Sequence, residues 1–270
     1  MEMKRMNDFD NEMVSVIMPA YNAVGTMRES VESVQAQEYQ KWELLVVDDG
    51  STDATAEIMD QFEKDDFRVK RISLKENIGI SGARNVGIVN ARGRYLAFLD
   101  SDDLWNPKKL SKQIEFMNNG GYAFTFTSYE LMNQDGMLLH KKVRAKKSVT
   151  YRSLLTNNYI GCLTVMIDRK AIPHVMMPAV RHEDYAAWLN ILKTGVKAYG
   201  LDEILSIYRI SDSSISANKI KVIGWFWTIY REDQKIGRLR ALFLMVINLT
   251  KLAIKYTRTG RIVGIFKKRG

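Results

Sequence analysis

At 270 residues, with 46% apolar and 26% charged side chains, the chain is long enough for one large domain or a domain with an appendage, and its composition is globular rather than disordered. The single cysteine, Cys162, excludes an intrachain disulfide framework and fits a reducing compartment. The net charge of +9 is uneven: from Lys219 onward there are 13 Lys or Arg against two acids, so a nearly neutral body carries a basic tail.

Residues Met1 to Glu12 are charged and polar and do not resemble a signal peptide. Val14 to Met18 reads as a buried strand stopped by Pro19, and a helix is predicted from Thr26 to Gln35. Trp42 to Val47 is a second strand, after which Thr52 or Asp53 can cap a helix through Phe62. Val69 to Leu74 and Tyr95 to Leu99 are further strands, separated by a helix over Ser81 to Ala91. Asn106-Pro107 opens a helix to about Met117, and Tyr122 to Thr127 is a fifth strand. Alternation at this spacing predicts βαβ units and a mostly parallel sheet covered on both faces, an α/β fold.

Beyond residue 128 the rhythm breaks. His140 to Lys147 is a Lys-rich loop or hairpin edge, Leu163 to Ile167 a strand and Glu183 to Lys193 a helix. Short strands follow at Ala198 to Leu201 and Leu205 to Tyr208, before a Ser-rich stretch from Ser211 to Ser216.

Polar clusters fall at the carboxyl ends of successive predicted strands: Pro19-Ala20-Tyr21-Asn22, Asp48-Asp49, and Asp100-Ser101-Asp102-Asp103. In an open α/β sheet such ends converge on one crevice. Tyr21 can stack on a base and Asp49 can accept hydrogen bonds from one. Gly79 and Gly82 permit a tight loop at a helix start, and Arg84 in the first turn suits a diphosphate. Clustered carboxylates call for a neutralising cation.

Val14 to Asn22, Val47 to Asp53, Asn77-x-Gly79, Ala83-Arg84-Asn85-x-Gly87 and Phe98 to Asp103, in that order, resemble family 2 glycosyltransferases of the GT-A fold, most closely over residues 13–120 and more weakly to about 216. The resemblance implies a Rossmann-like nucleotide-binding half (13–128) and an acceptor half (129–218), within a catalytic domain of residues 1–218. It implies a nucleotide-sugar donor, usually a UDP-sugar, with Mn²⁺ or Mg²⁺. Pro19, Tyr21, Asp49, Arg84 and Asp100 would contact the donor, with Tyr21 and Asp49 on the base; Asp100 and Asp102 would approach the metal. Arg181-His182-Glu183-Asp184-Tyr185 resembles the family's acidic pair, which maps the base for the acceptor hydroxyl to Asp184. Trp188 would either floor the acceptor site or face the core. Where many members carry His, this chain has Ser211.

The tail mixes Trp225, Phe226 and Trp227 with an apolar run, Leu239 to Leu249, that is too short to span a bilayer. Residues 219–270 are expected to form basic amphipathic helices on an anionic membrane surface, or else to pack on the catalytic domain; no nucleic-acid module is visible. The expected enzyme is an inverting transferase acting on a lipid-linked saccharide at the cytoplasmic face of a bacterial inner membrane. The rivals are a non-catalytic sugar-nucleotide binding subunit and a nucleotidyltransferase, the latter disfavoured by the Pro-Ala-Tyr-Asn end of the first strand.

Overall fold

The computed structural model describes residues 9–210, 219–248 and 250. The parallel half follows the predicted rhythm: β1 (Asp10–Ala20), α1 (Met27–Gln35), β2 (Trp42–Asp48), α2 (Thr55–Asp65), β3 (Val69–Ser73), α3 (Gly79–Asn90) and β4 (Gly93–Phe98). Strands β3, β2, β1 and β4 lie side by side and all pair in parallel. The central runs of β1 and β2 are buried because helices cover both faces, whereas the edge strand β3 carries Lys70 and Arg71 and is only partly buried. Val14, Val16 and Met18 face α1 and α2, through Met27, Val31, Val34, Met59 and Phe62. Ile17, Leu45 and Phe98 face the opposite side.

Pro19 does not stop β1, which continues through it to Ala20, pairing Pro19 with Val47. The Ala20 carbonyl points to β2 and the Ile17 carbonyl to β4. The N–H that Pro19 lacks would therefore face past the end of β4, where no ladder partner is lost. Helix α3 begins two residues earlier than predicted, at Gly79 with φ of +83°. It sits close on the sheet because Gly87 has no side chain; a Cβ there would meet Ile17 Cγ2 at 2.6 Å.

The second half is more mixed than the first. A two-residue strand, β5 (Leu104–Trp105), precedes α4 (Lys109–Gly120), and β6 (Phe124–Met132) turns back through β7 (Leu138–Val143), the hairpin edge expected near the lysines. After β8 (Ser148–Val149), α5 (Tyr151–Leu155) and β9 (Met166–Asp168) comes α6 (Glu183–Lys193), with the bounds predicted. The two predicted strands near the end of the domain are one, β10 (Ala198–Arg209), whose register on β6 is irregular between Leu201 and Ser206. Among the described residues the strands form one ten-stranded sheet of order β3-β2-β1-β4-β9-β6-β10-β5, with β7 on β6 and β8 on β10. Strand β9 is antiparallel to both neighbours, while β6 and β10 pair in parallel.

The basic segment is not detached. Helix α7 (Lys219–Thr228) runs into a π-helical turn, Ile229–Asp233, followed by a last helix, α8, over 238–248. Ile229, Tyr230, Ile236, Ala241 and Leu244 are buried in the same core as Tyr185, Trp188 and Leu192 of α6. Burying an aliphatic or aromatic side chain stabilises by ~1.5–3 kcal/mol, and a whole domain by only ~5–15 kcal/mol. A chain ended at residue 218 is therefore expected to lose its cooperative thermal transition; a transition matching the full chain's in calorimetry would refute this packing.

Candidate active site

The crevice is built at the carboxyl ends of β1, β2 and β4. The loops there are tied to one another before any ligand is considered. Thr26, which precedes α1, does not cap it; its hydroxyl donates to the Ser101 carbonyl at 2.9 Å, joining the β1 loop to the acidic loop. The Asn22 side-chain oxygen accepts the Thr52 N–H at 2.8 Å, joining the β1 and β2 loops. Tyr21 stands between them at 51% exposure, open for stacking. Pro19 is buried in β1, two residues before Tyr21.

Asp49 is buried, and its two oxygens accept the N–H groups of Ile78 at 2.8 Å and Gly79 at 2.9 Å. It thus occupies the anion-binding start of α3 itself, where a diphosphate was expected. A base N–H would share the lone pairs that remain on this carboxylate.

Arg84 also departs from expectation. With α3 starting at Gly79 it lies in the second turn, and it is 2% exposed. Its guanidinium pairs with Asp100 through one terminal nitrogen and with Glu183 through the other, while Nε is buried without a partner. Burial opposes the guanidinium's charge, but Asp100 and Glu183 hold it firmly protonated. Arg84 therefore acts as a bracket that joins the end of β4 to the start of α6.

The acids now separate into bonded and available groups. Glu183 is taken by Arg84. Asp103 is buried and accepts the Arg209 N–H at 2.8 Å through Oδ1, and burial with Asp102 and Asp100 pushes its carboxyl well up. Asp184 accepts the Tyr185 N–H, at 2.7 Å through Oδ1. Burial raises its pKa and Arg84 partly offsets this. The Asp102 carboxylate takes no bond from another side chain among the described residues; burial and then the Asp100 charge push it to about 6. The Cys162 thiol, buried near Arg84, is pushed well up by burial and stays neutral.

Sequence reasoning missed Arg209. Only 6% exposed, it holds the acidic loop by donating from Nε to the Asp102 carbonyl at 2.8 Å, and it reaches the Gln134 carbonyl at 2.9 Å and Glu29 at 2.5 Å. The antiparallel β5–β10 pairing that brings it there is two residues long on β5 and leaves no periodicity to read. Trp188, a candidate acceptor floor, is instead fully buried between Phe98 and Phe124, with ring centroids at 5.6 and 5.3 Å. Ser211 lies outside the described residues.

The acidic loop suits a divalent cation of one kind. Asp103 Oδ2 is buried without a partner and Asp102 is held above the usual carboxylate range, so like charges are crowded without full compensation. Among the described residues no three His, Cys, Asp or Glu side chains converge to hold a metal. The chain offers one or two carboxylates, which matches Mg²⁺ or Mn²⁺ sites completed by phosphate oxygens and water.

A sequence profile described as Glycosyl transferase family 2 matches residues 15–174. The putative teichuronic acid biosynthesis glycosyltransferase TuaG of Bacillus subtilis is 46% identical, over 90% of this chain and 96% of that one. The Escherichia coli UDP-Glc:alpha-D-GlcNAc-diphosphoundecaprenol beta-1,3-glucosyltransferase WfgD is 40% identical, over 92% and 98%. Similar folds include Staphylococcus aureus TarS 1–349 in complex with UDP-GlcNAc, with a TM-score of 0.66, 19% identity and coverage of 88% and 71%. The mannosyltransferase PcManGT of Pyrobaculum calidifontis, in complex with GDP-Man and Mn²⁺, also has a TM-score of 0.66, at 16% identity with coverage of 93% and 80%.

Asp102 has a measurable consequence for the metal-free protein. Its folded pKa of about 6 lies above the ordinary 3.8, so the folded state keeps a proton that the unfolded chain has released. Stability should therefore fall as pH rises from about 4 to about 6, and Asp102→Asn should flatten that fall. Urea midpoints at both ends of the window check this; an unchanged pH slope in the variant would count against the burial of this carboxylate.

Proposed function

The chain belongs to glycosyl transferase family 2 and is a sugar-transferring enzyme, and we propose that it moves a hexose or N-acetylhexosamine, with inversion, from a UDP-sugar to a hydroxyl of a lipid-linked saccharide. The observation that carries the mechanism is the Arg84 bracket. It joins the acidic loop to the Glu183-Asp184 pair, and because it pairs with Glu183 and not with Asp184, the Asp184 carboxylate stays outside the ion pair with the Tyr185 N–H on Oδ1.

Tyr21 stacks on the uracil, with Pro19 backing it and Asp49 accepting a base N–H. Asp100, held by Arg84, orients the ribose side of the donor and stands beside Asp102 at the metal position. A divalent cation held by Asp102 and Asp100 would supply Lewis-acid stabilisation of the departing diphosphate. Asp184 Oδ2 takes the acceptor hydroxyl proton while that oxygen bonds to the anomeric carbon. The bond to the nucleoside diphosphate breaks on the opposite face, and its electron pair leaves with UDP. Burial favours this proton transfer, because a raised pKa makes Asp184 a stronger base than a solvated aspartate.

The donor and acceptor classes are supported by the E. coli relative, whose name specifies UDP-Glc and a diphosphoundecaprenol-linked sugar, and by the teichuronic acid assignment of the Bacillus relative. Both point to cell-surface polysaccharide synthesis. We place the protein at the cytoplasmic face of the inner membrane as a peripheral enzyme, with residues 1–218 as the catalytic domain and 219–270 as its membrane-facing extension. No helix among the described residues is long and apolar enough to cross a membrane. Helix α8 instead shows Leu239, Leu242, Phe243 and Val246 on its exposed side, spaced as one helical stripe, with Arg238 and Arg240 exposed beside it. An apolar stripe flanked by cations suits the interface of an anionic bilayer.

Release of UDP from a panel of UDP-sugars, with a diphosphoundecaprenol-linked sugar as acceptor, tests the transfer. Asp184→Asn should lower kcat by about 10²–10⁴-fold while UDP still binds; intact turnover would dismiss Asp184 as the base. For the membrane face, full-length Phe243→Glu should float less than wild type with vesicles containing phosphatidylglycerol. Equal flotation of the two proteins would remove α8 from the membrane contact.

A further inference from the structure

Helix α6 presents the acid pair from its first turn, yet no side chain caps it: His182, at the cap position, makes no capping hydrogen bond. His182 is also one of the few non-glycine residues in the left-handed region, at φ +56° and ψ +50°. A backbone conformation that L side chains seldom adopt needs its surroundings to hold it. The surroundings here come from the C-terminal segment. The edge of Trp225 meets the His182 ring at a centroid distance of 5.0 Å and an angle of 68°, and Phe226 lies near-parallel to it at 6.5 Å and 22°.

Phe226 is itself held. It packs edge-on against Tyr185 at 5.7 Å and lies tilted by 33° against Tyr230 at 5.9 Å. The Tyr185 hydroxyl donates to the Leu154 carbonyl at 3.0 Å and the Tyr230 hydroxyl to the Leu155 carbonyl at 2.8 Å. Asn248 of α8 donates to both the Leu155 carbonyl and the Tyr230 hydroxyl, at 2.9 and 3.0 Å. Helix α7 thus meets the residue immediately before Glu183 and Asp184, and α8 secures it from behind through Tyr230. On the other side, the Asp184 carboxylate is oriented by the N–H of Tyr185, the same residue that Phe226 touches.

We propose that Trp225 and Phe226 are positioning residues of the transfer reaction: by clasping the His182 ring they hold the left-handed turn that aims the Asp184 carboxylate at the acceptor hydroxyl. The proposal rests on the reading of Asp184 as the base. It makes the basic C-terminal segment part of the catalytic apparatus as well as its membrane-facing side. Donor binding, which depends on groups at the ends of β1, β2 and β4, is not touched by this clasp.

The test is a double-mutant cycle in the full-length enzyme, with kcat and donor KM measured separately. Trp225→Ala should lower kcat by on the order of ten- to a hundred-fold, the scale of a misplaced catalytic group, with donor KM changed less than about two-fold. In an Asp184→Asn background the same substitution should cost nothing further, because the group it positions is gone. Trp225→Phe, which keeps an aromatic edge, should restore most of the rate. His182→Gly provides a second route, since it permits the left-handed turn but removes the ring; it should reproduce the kcat loss. Full kcat in Trp225→Ala with only a lowered melting temperature would overturn the proposal, as would an undiminished loss in the Asp184→Asn background. An Asp184→Asn enzyme with intact turnover would overturn the base assignment itself, and the proposal with it.

Discussion

One buried cation organises this site. Arg84 is carried inside the protein on α3 and pairs with carboxylates from two segments far apart in sequence, Asp100 after β4 and Glu183 at the start of α6. A guanidinium removed from water costs several kcal/mol unless its partners are in place, and an isolated buried carboxylate costs a similar amount. Each member of the trio is therefore tolerable only with the others present. The seat of α3 is fixed in turn by Gly87, whose missing side chain lets the helix rest on Ile17 of β1. Helix seat, acidic loop and the start of α6 form one connected arrangement.

That arrangement sorts the acids. A cluster of carboxylates at strand ends is a common feature and says little about which members do chemistry. In this protein Asp49 is committed to the start of α3, Asp103 to the Arg209 backbone and Glu183 to Arg84. Asp102 and Asp184 take no side-chain hydrogen bond on their carboxylates among the described residues and, unlike Asp49 and Asp103, are not fully buried; both are raised above the ordinary aspartate range. Unspent hydrogen-bonding capacity in a partly desolvated crevice is what metal binding and proton transfer require.

The C-terminal segment has two faces with different duties. Tyr230, Ala241, Leu244 and Asn248 are buried against α5 and α6, whereas Leu239, Leu242, Phe243 and Val246 remain open. The π-helical turn at Ile229–Asp233 resets the chain so that Tyr230 points into the core and the following helix can lie across it. Among the described residues, Arg238 and Arg240 are exposed beside that open apolar stripe.

The sequence by itself determined the parallel half of the fold. Apolar runs such as Val14 to Met18 and Trp42 to Val47 admit only doubly covered strands, and turn residues at each end mark where ligand-binding loops must lie. It also determined the residue types at the crevice, Tyr21, Asp49, Asp100, Asp102 and Asp184, because each follows a strand or opens a helix whose pattern is local. Only the tertiary structure decided which charges neutralise one another, since Arg84 and Glu183 are 99 residues apart and nothing periodic links them. It likewise decided that β10 is one strand, that Trp188 is core, that Arg209 clamps the acidic loop and that Tyr230, Ala241 and Leu244 pack in one core with α6. Those outcomes depend on antiparallel pairings of two or three residues and on burial shared between distant segments, and neither leaves a repeating signal along the chain.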